Sequence, residues 1–410
     1  MKLIGPFKQI ITLANIPLKG PIKDENLQII TNGGILINQD TIVALDDFFA
    51  LQKQHPKAEL HPITTDQVAV PGFIDSHTHI CFGGKRAKDF AMRLNGKSYI
   101  EIAESGGGIW STVLQTRSKT ADELKDITLK NANKLIENGT TTAEVKSGYA
   151  LSIKDEIKML EGINLANQEC EIDLIPTFLG AHMKPKDFDG SNQEYLETLV
   201  HKVFPKLKDK QLTNRVDIFV EQSAFNIKEG DYFLDRAKKF GFDLTVHADQ
   251  FTPGGSQLAI KHKALSADHL EFSAEKEIRE LAFSDVVATV LPGASIGLGI
   301  QFAQARKLLD AGCCVAIASD WNPGSAPMGD LLTQASILAT FQKLSTAEVL
   351  AAITFRAAKA LNLTDRGKLE VGLKADFISF PTNEYQDIIY HQGQLKPDFV
   401  WKNGNLIHQK

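Results

Sequence analysis

Eight strand candidates, spaced so that a helix fits between most neighbours, constrain the fold of this 410-residue chain more than any other feature. They span 68–80, 140–145, 172–179, 216–221, 242–248, 264–270, 286–291 and 314–318. Short apolar runs among them suit strands buried on both faces, the kind found in parallel sheets. Helical periodicity fills 121–137, 154–168, 274–282 and 301–311. Eight strands alternating with helices predict an α/β fold, a (β/α)8 TIM barrel, rather than a doubly wound sheet. The chain is longer than the roughly 250 residues such a barrel takes, and the surplus lies at its ends. Strand-like pieces with Gly/Asn turns occur at 9–13, 34–38 and 42–45, and again at 367–370, 375–380 and 399–404. The two termini are therefore expected to build one small β-sandwich domain, from 1–66 and 363–410, around a barrel over 67–362.

Charge and cysteine usage narrow the function classes. A net charge of -5 and a pI near 6.1 argue against a nucleic-acid-binding surface. Cys81, Cys170, Cys313 and Cys314 form no C-x-x-C pair and no disulfide framework. Free thiols and no signal peptide predict a cytoplasmic location, and no apolar run is long enough to span a bilayer. Gly106-Gly107-Gly108 is not followed by the Gly-Lys-Ser/Thr of a phosphate loop, so a nucleotide site is a poor reading.

The chemistry collects at the carboxyl ends of the predicted strands, where barrel active sites lie. The first strand ends in His77-Thr78-His79, and side chains two apart on a strand point the same way. Alone, such a pair is as well explained by core packing. Its partners change the balance: strand ends also carry Glu144, His182, Glu221, His247, Asp268-His269 and Asp320, so five of the eleven histidines fall there. One metal fits His77, His79, His247 and Asp320, three neutral nitrogens and a carboxylate with room for water. His269 is placed to act as base or to orient that water, and Asp320 to take its proton; a packed Asp-His turn is the plainer account of His269. His182 suits ligand and substrate contact about equally. Lys146 invites comparison with a carboxylated bridging lysine, but it lies on strand two and no lysine ends strand four, which weakens a two-metal site. Arg86 follows a Gly-Gly turn just past the metal strand and suits bidentate binding of a substrate carboxylate, or a surface position. Tyr149 is placed to hydrogen-bond a polar substrate or to pack.

Pro71-Gly72-Phe73-Ile74-Asp75-Ser76-His77-Thr78-His79 resembles the opening motif of the amidohydrolase superfamily, whose members pair a metal-bearing barrel with a composite β domain. The resemblance is closest to the branch that opens the cyclic amide of 4-imidazolone-5-propanoate to N-formimidoyl-glutamate. It runs through Phe82-Gly83-Gly84-Lys85-Arg86, Gly96-Lys97-Ser98-Tyr99, Gly106-Gly107-Gly108-Ile109, Glu144-Val145-Lys146-Ser147-Gly148-Tyr149 and Phe178-Leu179-Gly180-Ala181-His182. It continues in His247-Ala248-Asp249-Gln250, Ala267-Asp268-His269-Leu270 and Ser319-Asp320-Trp321-Asn322-Pro323-Gly324-Ser325. The resemblance implies metal ligands His77, His79, His247 and Asp320, holding one Zn2+ or Fe3+ per subunit of a homodimer. It implies substrate contacts from Arg86, Tyr149, His182, Gln250, Asn322, Gly324 and Ser325, with His269 activating water and Gln250 at the reacting ring. The expected partner is a small anionic cyclic amide. Two departures bear on that expectation. Glutamine stands at 250 where some members carry glutamate; it cannot transfer protons near neutral pH, which argues against a deaminase. The stretch 291–299 lacks the aromatic residues many members place after its Pro-Gly. The rivals are another amidohydrolase, including an aminohydrolase, and a barrel that binds an anion without turnover.

Overall fold

The computed structural model describes residues 1–97 and 99–410, so Ser98 of the 96–99 motif lies outside the described residues. The amino-terminal segment forms β1 (Lys2–Ile11), β2 (Ile29–Asn38), β3 (Thr41–Asp47), β4 (Glu59–Pro62) and β5 (Val68–Pro71). Eight strands follow: β6 (Phe73–Asp75), β7 (Thr140–Lys146), β8 (Asp173–Ala181), β9 (Arg215–Val220), β10 (Asp243–Ala248), β11 (Ser266–His269), β12 (Val287–Val290) and β13 (Val315–Ile317). The chain finishes with β14 (Phe377–Phe380), β15 (Phe399–Lys402) and β16 (Asn405–Gln409).

Strands β6 to β13 pair in chain order as a parallel sheet, the expected barrel. Most of their residues are buried, so β8, β12 and β13 read as apolar runs without alternation, while β7 and β11 bury polar residues as well. The helices between them start on local signals. The Thr120 side chain accepts from Glu123 N while Glu123 returns a bond to Thr120 N, fixing the start of the helix Ala121–Glu137. Ser152 accepts from Asp155 N at the start of Ile153–Glu169. Among the described residues, no helix is long and apolar enough to cross a membrane.

The termini join in one sheet of order β16-β15-β14-β5-β1-β2-β3, with β4 paired to β1. It curls over a core of Phe7, Ile35, Ile37, Ile42, Phe377 and Trp401. Phe377 stacks on Trp401 at 4.4 Å between ring centroids, and Phe7 meets both edge-on.

Three local expectations are corrected. The predicted strand 68–80 is two strands in different sheets: β5 pairs with β1 and β14, whereas β6 pairs with β7. The switch falls at Gly72, where a Cβ would lie 2.4 Å from the Thr141 side chain. The stretch 367–370 is not a strand. Gly367 turns with φ at 90°, and Leu369 N donates to Thr12 O at 2.9 Å as an irregular, buried tether. The helix expected over 301–311 begins only at Ala305, and the stretch 291–299 before it holds the short helix Pro292–Leu298.

No ladder joins β6 to β13. Residues just past their ends close that seam: Thr78 bridges Trp321, His79 N donates to Trp321 O at 2.9 Å and Asp320 N to His77 O at 3.0 Å. Lys146 N donates to Thr78 O on the other side. The stretch expected to bind metal is thus also the stretch that closes the barrel.

Candidate active site and metal centre

His77, His79, His247 and Asp320 converge at the carboxyl end of the barrel. His77 Nε2 lies 3.3 Å from His79 Nε2, and Asp320 Oδ1 lies 3.5 Å and 3.4 Å from these two nitrogens. A tetrahedron with metal–ligand bonds of about 2.0–2.1 Å has an edge of about 3.4 Å, so this donor spacing fits one ion. His247 offers a nitrogen within 4.8 Å of both histidine donors, and His269 falls in an overlapping group with His77 and Asp320. The histidine donors are in the neutral state a cation requires. Burial pulls the pKa of His77 and His79 well below 6.5 and that of His247 to about 3. Burial also pushes Asp320 up to about 7, against the opposing influence of His269 and Asn322. A carboxylate this costly to ionise gains most from a neighbouring positive charge. The chain reaches these positions through left-handed backbone at Asp249 (φ 54°), His269 (90°) and Asp320 (51°), each at a cost on the order of 1 kcal/mol for a non-glycine residue.

Beneath the ligands lies a charged layer that sequence reasoning only partly anticipated. His77 Nδ1 is 2.7 Å from Asp268 Oδ2, and His247 Nδ1 is 2.8 Å from Asp217 Oδ2. Each carboxylate holds an imidazole by its Nδ1 edge and turns Nε2 toward the centre. Asp217 was missed. Its signal was Arg215-x-Asp217, charges at alternating positions of an otherwise apolar strand. Lys146 is not a carboxylated bridge: its Nζ lies 2.7 Å from Glu144 Oε2, 2.8 Å from Asp217 Oδ2 and 3.8 Å from Asp268 Oδ2. A carbamate there would add a fourth negative charge to three buried ones. Burial works against the ammonium, but the three carboxylates raise its pKa above 10.5.

The opposite wall carries the expected substrate side. A cavity of about 600 Å³ is lined by Arg86, Tyr149, His182, Gln250, Asn322, Gly324 and Ser325 together with the metal-site residues His79, His247 and Asp320. Arg86 is no free surface arginine. Its Nε donates to Asp89 Oδ2 at 2.8 Å, and its Nη1 packs so closely on Gly324 that a Cβ there would approach within 2.3 Å. Tyr149 is buried, its ring 5.6 Å from His79 and 5.5 Å from His182. His182 stands outside both groups of metal-competent donors, with Nδ1 3.0 Å from Gly148 O and burial lowering its pKa to about 4. The amide of Asn322 is occupied within its own loop. Its Nδ2 donates to Asp320 O and Ser325 Oγ, and its Oδ1 accepts from Gly324 N and Ser325 N. Ser325 Oγ lies 3.4 Å from Asp320 Oδ2. Glu221 accepts from Phe251 N and Thr252 N and so fixes the loop after Gln250. Apolar Leu298 and Ile300 complete the wall where aromatic residues are absent. His269 Nδ1 faces the buried Glu271 Oε1 at 3.4 Å, a partner the sequence reading did not single out.

Comparison with known proteins agrees with this geometry. The model of the Amidohydrolase family matches residues 68–407. An imidazolonepropionase of Bacillus cytotoxicus is 41% identical over 347 residues, 84% of this chain and 82% of that protein. One from Bacillus cereus is 38% identical over 387 residues, 94% and 91% of the two chains. Among solved structures, atrazine chlorohydrolase from Arthrobacter aurescens TC1 complexed with zinc superposes with a TM-score of 0.74 at 17% identity, covering 100% of this chain and 95% of that one. Helicobacter pylori aminofutalosine deaminase gives 0.70 at 15% identity, covering 99% and 100%. At such identities these structures speak for the shared fold alone. The alignable relatives, the matched family model and the histidine–aspartate centre agree: the chain belongs to the amidohydrolase family and, within it, to the imidazolonepropionases.

Proposed function

We propose that this chain hydrolyses the cyclic amide of 4-imidazolone-5-propanoate to N-formimidoyl-L-glutamate. The observation that carries the reading is one cavity lined by both the histidine–aspartate centre and the guanidinium of Arg86. His77, His79, His247 and Asp320 would hold the metal. A cation there supplies Lewis acidity at the ring carbonyl and lowers the pKa of water. Arg86, oriented by Asp89, binds the propanoate carboxylate. Tyr149, the free edge of His182, and Gln250 surround the ring, Gln250 by hydrogen bonds to the ring amide. Asn322 acts mainly by shaping the turn that presents Gly324 and Ser325. His269 accepts the proton of the attacking water, with Asp320 as the second acceptor. The water oxygen ends in the new α-carboxylate; the ring C–N bond breaks, and the departing nitrogen takes a proton as it becomes the formimidoyl nitrogen. The same reading includes one Zn2+ or Fe3+ per subunit, suited by three imidazoles and a carboxylate, together with a homodimer and a cytoplasmic location. Gln250 in place of an acid speaks against an aminohydrolase, because a carboxamide does not shuttle protons.

The test follows loss of imidazolone-propanoate absorbance with the purified protein, a chelated sample and Arg86→Ala. Turnover that needs both metal and Arg86 is expected. A fully metallated protein that leaves the substrate intact would sink the assignment.

A further inference from the structure

Lys146 takes no part in the reaction just described, yet it is wholly buried at the centre of the barrel. Strand β7, which carries it, supplies none of the four metal ligands. Its ammonium approaches the same two oxygens that hold the ligand histidines. Asp217 Oδ2 is 2.8 Å from Lys146 Nζ and 2.8 Å from His247 Nδ1. Asp268 Oδ2 is 3.8 Å from Lys146 Nζ and 2.7 Å from His77 Nδ1. We propose that Lys146 is a positioning residue of the metal centre, a single cation that aims Asp217 Oδ2 and Asp268 Oδ2, and through them fixes the Nε2 edges of His247 and His77.

The physical reason is charge balance in a dry core. Glu144, Asp217 and Asp268 are all buried, and apart from Lys146 the nearest cation is Arg215, whose Nη2 lies 3.6 Å from Glu144 Oε1. Without the cation between them, the buried carboxylates repel one another and turn from the positions they hold. A displaced Asp217 or Asp268 no longer accepts from Nδ1–H, and the imidazole loses the lock on its ring angle. Thr245 Oγ1 donates to Asp268 Oδ2 at 3.0 Å, but a neutral hydroxyl does not replace the charge. The inference rests on the metal reading above and not on the identity of the substrate.

The experiment uses zinc-loaded full-length protein and measures the rate of zinc loss to a chromogenic chelator. Wild type is compared with Lys146→Met, which keeps the length and volume of the side chain. Zinc loss roughly 10- to 100-fold faster is expected, the range seen when groups behind metal ligands are changed. The melting temperature of each metal-free protein is recorded alongside. A lysine that served only the core would lower that temperature and leave the release rate alone, and this result overturns the proposal. Should Lys146→Met not fold, Lys146→Gln carries the test, because it removes the charge and keeps a hydrogen-bond donor in the site. Zinc loss roughly tenfold faster is then expected, the lower end of the same range; an unchanged rate overturns the proposal. A wild type that binds no zinc overturns both the proposal and the metal reading. A wild type that holds zinc but does not open imidazolone propanoate leaves the proposal standing and removes only the substrate.

Discussion

Glu271 sets how basic His269 is. Burial lowers the pKa of His269, but Glu271, with Asp320 and Asp268 adding to it, more than reverses this and holds it above 6.5. In the proposed role His269 must be neutral to accept a proton, so activity falls on the acid side as the imidazole protonates. Removing the charge in Glu271→Gln destabilises the imidazolium and lowers its pKa. The acid limb of kcat/KM should therefore move to lower pH, with kcat on the plateau reduced about tenfold as the ring loses its orienting partner. A bound cation lowers the His269 pKa in both proteins and leaves the sign of the difference unchanged. A pH–rate profile whose acid limb stays put or moves upward would remove Glu271 from this role. Residues such as His77, His79, His247, His269 and Asp320 were legible because strand ends and two-residue spacing fix where their side chains point. The partners of these residues were not. Asp217–His247 and Asp268–His77 are contacts between strands, and nothing local in the sequence pairs them. Asn322 lines the cavity as expected of a substrate contact, but the hydrogen bonding of its amide within its own turn depends on a chain path visible only in three dimensions.

Each element follows from burial, and errors arose where one run of residues serves two sheets. The helices Ala121–Glu137 and Ile153–Glu169 lie within a residue of expectation at each end because their caps are written in the sequence. Strands β8, β12 and β13 were recognisable because a doubly covered strand is largely apolar, whereas β7, β9 and β11 also bury Thr, Glu, Lys, Arg, Asp and His. The stretch 68–80 is equally apolar, yet it leaves the terminal sheet and enters the barrel within a few residues, a change of partner that hydropathy does not register. The hairpin of β15 and β16 was expected only as far as Gly404, although Asn403 and Gly404 adopt the positive φ of a tight hairpin turn. Gly72 gives the element-scale test. In Gly72→Val a Cβ placed 2.4 Å from Thr141 forces β5 and β7 apart at the crossing between sheets. Destabilisation of about 2–3 kcal/mol is expected, typical of overpacking against neighbours that cannot yield. Urea unfolding measures it, and a midpoint unchanged from wild type would show that the crossing tolerates a side chain.

Two sets of contacts tie the whole molecule together. At the amino end of the barrel, Lys402 of β15 reaches Asp173 at 2.8 Å and Asp376 at 2.7 Å, while Arg366 pairs with Asp173 and donates to Thr142 Oγ1. Burial would raise the Asp173 carboxyl, yet Lys402 and Arg366 hold it at about 2, below its ordinary 3.8. A depressed carboxylate stabilises the fold above the unfolded value, so this contribution is present at neutral pH and disappears as pH falls from about 4 towards 2. Lys402→Met leaves buried Asp376 with only the more distant Arg366, at 4.0 Å, and should cost about 3 kcal/mol at pH 7 in urea unfolding. A loss no larger than that of an exposed lysine would mean the β domain is held by its apolar core alone. At the opposite end, the metal would serve as the second tie. Its four ligands come from β10 and from the extensions of β6 and β13, so one ion spans the seam that no ladder closes. An ion bound only by the folded state stabilises it by about 4 kcal/mol at a thousandfold excess over Kd. Chelation should lower the melting temperature accordingly, with the change centred on the seam. Hydrogen exchange at the amides of His79 and Asp320, which donate across it, should accelerate more than at β8 and β9 on the far side of the barrel. Uniform acceleration around the barrel would show that the ion stabilises the fold without acting as its clasp.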